Sequence, residues 1–196
     1  MSENRKLSIL LSGRGSNFIA IHEAISRGDL RAEICCVISN IPDAPGLARA
    51  RDFGLNAICL PSKGLERAEY DRRLQDALRP FEPALICLAG FMRVLSPGFI
   101  EAYRGRILNI HPALLPSFPG LHAQRQALEY GVRITGCTVH LVDEGVDTGR
   151  ILMQRGVEVL DGDTEESLSA SILRQEHDLY WRAIAAVLDR AAPAPV

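Results

Sequence analysis

Apolar residues in this chain fall into short continuous runs separated by stretches of helical period. Residues 7–11 are such a run, stopped by Ser12-Gly13, and predict a buried strand. Ile21, Ala24 and Ile25 keep helical spacing behind it, with Ser16 and Asn17 as N-cap candidates. Further strands are expected over 33–38, 56–60, 84–88 and 106–110. Helices are expected over 46–53, around Tyr70, Leu74, Ala77 and Leu78, and over 97–103. Strand and helix thus alternate through the first 110 residues. The pattern predicts an α/β fold, a Rossmann-like, mostly parallel twisted sheet with helices on both faces. Polar groups at the carboxyl ends of its strands should converge near a topological switch point.

The pattern changes after residue 110. Residues 112–120 carry three prolines and no apolar period, which predicts a loop, and a helix follows near 123–130. Residues 134–142 and 150–159 read as longer strands. The link between them is too short for a crossover, so they form an antiparallel C-terminal extension. A last helix is expected over 164–190, capped by Asp163-Thr164 and striped by Leu168, Ile172, Leu179, Ala183 and Val187. Residues 191–196 read as a frayed tail. With 196 residues, no repeat and no linker, the chain reads as a single domain. Residues 1–110 form a Rossmann-like half and 111–196 a second half with the C-terminal helix.

Composition narrows the function classes. The formal net charge is −2 with both signs dispersed, which argues against nucleic acid as a partner. No apolar stretch is long enough to span a bilayer, and the N-terminus lacks the pattern of a signal peptide. The five cysteines are scattered without metal spacing, and the histidines lack ligand spacing, so no metal is expected. Reduced thiols in a cytoplasmic compartment are the expectation.

Three segments can carry chemistry. Ser12-Gly-Arg-Gly-Ser-Asn17 links a strand to a helix, where glycines and free helix amides can hold a phosphate. Phe18 occupies the third glycine position of a dinucleotide fingerprint, and Ser39-Asn40 stands where its acidic residue belongs. A single-phosphate cradle or an ordinary strand-to-helix turn remain as readings. Asn109-Ile-His-Pro112 ends the fifth strand, with residues 109 and 111 on one face. It is either a pair of proton donors aimed at one spot or a polar cap on the core. Asp143 to Gly149 is either a solvated turn or the source of a carboxylate that favours an imidazolium at His111. His22, His122, His140 and His177 read as structural or surface residues.

Taken together, the segments resemble the phosphoribosylglycinamide formyltransferases, a folate-dependent family of purine synthesis. The resemblance spans nearly the whole chain. It is carried by residues 11–17, by Leu88-Ala-Gly-Phe-Met-Arg93, by 109–112 with Leu114-Leu-Pro116, by Pro119-Gly-Leu-His122 and by 143–149. It implies that Asn109, His111 and Asp147 are catalytic, and that Gly15, Ser16, Asn17 and Glu176 bind glycinamide ribonucleotide. The folate side then comprises Arg67, Met92, Arg93, Val94, Leu95, Asn109, and the loop Asp143, Glu144, Gly145, Val146 and Asp147. The co-substrate implied is 10-formyltetrahydrofolate, and the protein is a monomer or homodimer. Ala113 and Gln124 depart from residues common in relatives without touching the catalytic set, and Arg14 departs where it would add charge near the phosphate. A formyltetrahydrofolate hydrolase of the same fold is the competing enzyme, although that family usually adds an N-terminal regulatory domain. A methionyl-tRNA formyltransferase would need a further basic domain, and a non-catalytic folate- or nucleotide-binding module would leave the triad without a task.

Overall fold

The computed structural model describes residues 4–191. Five strands come first: β1 (Lys6–Leu11), β2 (Glu33–Ser39), β3 (Ala57–Cys59), β4 (Leu85–Leu88) and β5 (Ile107–His111). They alternate with α1 (Ser16–Ser26), α2 (Pro45–Asp52), α3 (Arg67–Leu78) and α4 (Pro97–Ala102). Then come α5 (Ala123–Tyr130), β6 (Ile134–Leu141), β7 (Ile151–Glu158) and α6 (Glu165–Ala191). All strands join one sheet in the order β3-β2-β1-β4-β5-β6-β7. β1 to β5 pair in parallel, and β6 and β7 are antiparallel additions. The expected α/β sheet and its antiparallel extension are therefore both present. Residues 192–196, part of the expected tail, lie outside the described residues.

Each face of the sheet has its own core. Leu7, Ile9, Leu11, Val37, Cys87 and Leu108 meet α1, α2 and α6 on one side. Leu10, Cys36, Ile38, Ile86 and Ile107 meet Tyr70, Leu74 and Leu78 of α3 and Phe99 and Ile100 of α4 on the other. Burial on both faces is why these strands are continuous apolar runs rather than alternating ones. The crossovers after β1 and β4 diverge to opposite faces, opening a crevice between those two neighbouring strands at their carboxyl ends.

Two local differences bear on function. Ser16 and Asn17 do not cap α1: the N-cap is Gly15, at φ +71°, with no side-chain hydrogen bond to the helix. A Cβ there would stand 3.0 Å from Leu11 Cδ2 and 3.3 Å from Gly46 Cα, so glycine is needed both for its left-handed backbone and for the close approach. β5 also runs one residue further than expected, so His111 is still held in the ladder opposite β6. The predicted cap of α6 is present, with Thr164 Oγ1 accepting from Ser167 N–H at 3.2 Å.

Candidate active site

The centre is assembled where β5 lies against β6. The register sets His140 opposite Asn109 and Thr138 opposite His111, and directly opposed residues share a face. Thr138 donates to the Ala113 carbonyl at 2.6 Å and accepts from Leu115 N–H at 3.0 Å. These bonds tie the proline-rich segment after His111 to the sheet. Ala113 is itself fully buried.

The β6–β7 loop returns Asp147 to the same spot. Asp143 Oδ1 accepts from Gly145 N–H at 3.1 Å and from the Thr148 hydroxyl at 2.7 Å, folding the loop back on itself. Gly149 permits the return, since a Cβ there would lie 1.7 Å from the Leu141 carbonyl oxygen. Asp147 has φ +55°, a strained conformation for a non-glycine residue. Its carboxylate partners hold it there.

Asp147 Oδ2 lies 3.2 Å from His111 Nδ1 and accepts from Gly120 N–H at 2.8 Å. Asp147 Oδ1 lies 3.4 Å from Asn109 Nδ2 and 3.5 Å from His140 Nε2. His111 Nε2 donates to the Phe118 carbonyl at 2.8 Å. Both ring nitrogens of His111 thus face oxygen acceptors, which a doubly protonated ring satisfies with two N–H donors. Burial pushes the Asp147 carboxyl up. The bonds facing it from His140 and Gly120, with the His111 charge, outweigh burial and hold it below the ordinary carboxylate range.

His140 is the member that sequence reasoning set aside. It is 2% exposed, and its Nδ1 donates to the Leu141 carbonyl at 2.9 Å. Its Nε2 lies 3.1 Å from Asn109 Nδ2. That nitrogen therefore stands between the Asn109 amide and Asp147 Oδ1, 3.5 Å away. One Asn109 N–H thus faces the His140 ring. The other meets only the long Asp147 contact and is available to an oxygen arriving in front of it.

Other expected site residues group on two sides of this centre. On one, the first backbone amides of α1 lack helical acceptors and have no side-chain cap, the arrangement that binds anions. Asn17 sends its side chain the other way, Nδ2 donating to Glu176 Oε2 at 2.8 Å, while its buried Oδ1 has no partner. Burial raises the Glu176 carboxyl above its ordinary range, against the lowering hydrogen bond from Asn17. A raised carboxyl contributes stability below its unfolded pKa that is lost as pH rises through the folded value. Wild type is therefore expected to lose Tm relative to Glu176→Gln as pH rises from about 4, measured by thermal melts across pH. Parallel Tm curves would refute this.

On the other side, Met92 and Val94 are exposed, at 69% and 46%, while Leu95 is buried in the α3–α4 core. Arg93 points away from the crevice. Its guanidinium donates to the Leu65 carbonyl at 3.0 Å and lies 4.6 Å from the Tyr70 ring centroid. A cavity of about 230 Å³ is lined by Ile100, Arg104, Val142, Asp143, Glu144 and Gly145. Val146 is exposed at the loop tip. Arg67 is exposed at the start of α3. Among the described residues no cluster of three or more His, Cys, Asp or Glu side chains could hold a metal ion.

Residues 5–184 match the family described as formyl transferase. The phosphoribosylglycinamide formyltransferase of Escherichia coli (strain K12) is 43% identical over 173 residues, 88% of this chain and 82% of that protein. This chain belongs to the phosphoribosylglycinamide formyltransferase family. A solved structure of glycinamide ribonucleotide transformylase 1 from Symbiobacterium toebii aligns with a TM-score of 0.94 at 43% identity, covering 97% of this chain and 90% of that one. The trifunctional purine biosynthetic protein adenosine-3 of Drosophila melanogaster is 46% identical over 196 residues, but the chain spans only 14% of that protein's length. The formyltransferase family resemblance drawn from the sequence motifs is thus the correct one, and with it the expected fold.

Proposed function

We propose that the chain transfers the formyl group of 10-formyltetrahydrofolate to the amine of glycinamide ribonucleotide, giving formylglycinamide ribonucleotide and tetrahydrofolate in de novo purine synthesis. The observation that carries this reading is the meeting of Asn109, His111 and Asp147 at the end of β5. The substrate amine attacks the formyl carbon, and the carbonyl π pair moves to oxygen. Asn109 Nδ2–H and a His111 N–H stabilise that oxyanion. The Nε2 proton, donated to the Phe118 carbonyl here, is the one not facing Asp147, and the substrate takes the place of that carbonyl as its acceptor. Collapse breaks the bond from carbon to N10; the amine loses a proton and N10 gains one. Asp147 keeps His111 cationic and oriented. Positioned donors of this kind contribute on the order of 10²–10³ in rate.

The α1 amides of Gly15 to Asn17 and the Ser16 hydroxyl hold the ribonucleotide phosphate, with Glu176 reaching its ribose or amine end. Residues 92–95 and the 143–147 loop wall the folate, Arg93 through its backbone, with Arg67 on the folate side. Both tasks draw on the two halves, 1–110 and 111–196, in a monomer or homodimer within a reducing, cytoplasmic compartment. All five cysteines are free, and among the described residues no helix is long and apolar enough to cross a membrane.

Acceptor dependence tests the reading. Tetrahydrofolate release should require glycinamide ribonucleotide and match formylated product mole for mole. Formate released without the ribonucleotide would establish the hydrolase instead. Ser16→Ala is expected to raise KM for the ribonucleotide about fivefold or more, the loss of roughly one hydrogen bond, with kcat nearly unchanged. An unchanged KM in steady-state assays would remove the Ser16 hydroxyl, though not its amide, from the phosphate cradle.

A further inference from the structure

Asn40 stands where a dinucleotide-binding sheet would carry an acidic residue, and the transfer chemistry gives it no role. The structure places it in a chain of polar contacts that runs behind the crevice. Ser12, at the end of β1, is tied to the β4–α4 loop by both its backbone and its side chain. Its N–H donates to the Gly90 carbonyl at 3.0 Å, and its Oγ accepts from Met92 N–H at 2.8 Å. Ser12 Oγ donates in turn to Asn40 Oδ1 at 2.5 Å, and Asn40 Nδ2 donates to Ser62 Oγ at 3.0 Å. Arg93 closes the run with a long 3.4 Å contact to the Ser62 carbonyl. Asn40 is 6% exposed and Ser62 7%, so these bonds are made out of water, where an unpaired partner is costly.

The position of this chain matters more than its length. Residues 13–17 lead from Ser12 into the anion-binding start of α1, and Met92 begins the exposed wall on the other side. Ser12 is the residue bonded directly to both sides. Its hydroxyl can accept from Met92 only in the orientation that its own donation to Asn40 selects. Asn40 is held by Ser62, so the orientation is set from behind.

We propose that Ser12, oriented by Asn40, is a positioning residue that fixes the spacing between the ribonucleotide cradle and the folate wall. The inference rests on the transfer function above. Each half-site is built locally and binds its own substrate without Ser12 Oγ. What Ser12 sets is whether the bound amine meets the formyl carbon, and a misplacement of about 1 Å costs on the order of 10²-fold in rate. The signature is a fall in kcat with both KM values nearly kept.

The test is steady-state kinetics of full-length wild type, Ser12→Ala, Asn40→Leu and the double variant, with glycinamide ribonucleotide and 10-formyltetrahydrofolate varied in turn. Ser12→Ala should lower kcat about ten- to a hundredfold, with each KM within about threefold. Asn40→Leu should give the same split, and serves alone if Ser12→Ala does not fold. The double variant should be little worse than either single one, because both break one chain. Unchanged kcat in the folded single variants would overturn the proposal. So would a loss confined to KM, or two effects that multiply in the double variant. A wild type that forms no formylated ribonucleotide would instead overturn the proposed function, so the two failures are distinguishable.

Discussion

His111→Ala is expected to lower kcat by on the order of 10³-fold. The ring is the one group of the centre placed to offer the reaction a proton and a positive charge together, and alanine supplies neither. Water in the vacated space cannot reproduce the fixed ring nitrogen that Asp147 faces at 3.2 Å. The fold should survive. Asp147 keeps its 2.8 Å bond from Gly120 N–H and its contact with Asn109, so the change costs about 1–3 kcal/mol rather than the structure. The check is kcat with both substrates saturating, beside a urea titration. A folded variant with near-normal turnover would show that His111 is a bystander.

Asp147→Asn should lower kcat about 10²-fold or more, as expected when a ring loses the carboxylate that orients it and sustains its charge. The substitution keeps the size of the side chain but not its bonding. Gly120 N–H, Asn109 Nδ2 and His111 Nδ1 all approach acceptor oxygens, and an amide must turn its own NH2 toward at least one of them. The same variant reads the linkage of this carboxyl to stability. Its folded pKa is lowered, so its contribution is present above the ordinary carboxylate range, near pH 4, and is lost as pH falls through the folded value. The stability difference between wild type and Asp147→Asn should therefore be largest near neutrality and shrink in acid. Equal differences at pH 7 and pH 3 in urea titrations would contradict the assigned ionisation, and unchanged turnover would contradict the assigned role.

The sheet was legible because double-sided burial writes each inner strand as an apolar run, and because helical period separates the runs. The motif at the end of β5 was legible for the same reason: alternation along a strand puts Asn109 and His111 on one face. What a strand cannot reveal is its neighbour across the sheet. His140 sits opposite Asn109 because of the β5–β6 register, and nothing in the spacing from 109 to 140 encodes that register. The available signal was a lone histidine within the apolar run 134–142. The contact of Asp147 with His111 was likewise beyond sequence, since it depends on a left-handed residue inside a folded-back loop.

The misplaced cap shows a different limit. Ser16 and Asn17 are good capping types, and cap preference ranks residue types rather than backbone conformations. Gly15 won because the chain must turn at a positive φ where Leu11 and Gly46 leave no room for a side chain. Asn17, freed from capping, reaches Glu176 across 159 positions of sequence. β3 is three residues rather than five. Asn56 lies just outside it and spends its side-chain amide on the Cys35 carbonyl.

The most direct test of the central claim is a crystal structure of the chain with glycinamide ribonucleotide and a folate analogue that cannot give up its acyl group. The account predicts N10 and the acyl oxygen within about 3.5 Å of a His111 ring nitrogen and Asn109 Nδ2, Asp147 still against His111, and the phosphate on the amides of Gly15 to Asn17. An analogue bound with its N10 facing away from β5, or a phosphate seated elsewhere, would contradict it.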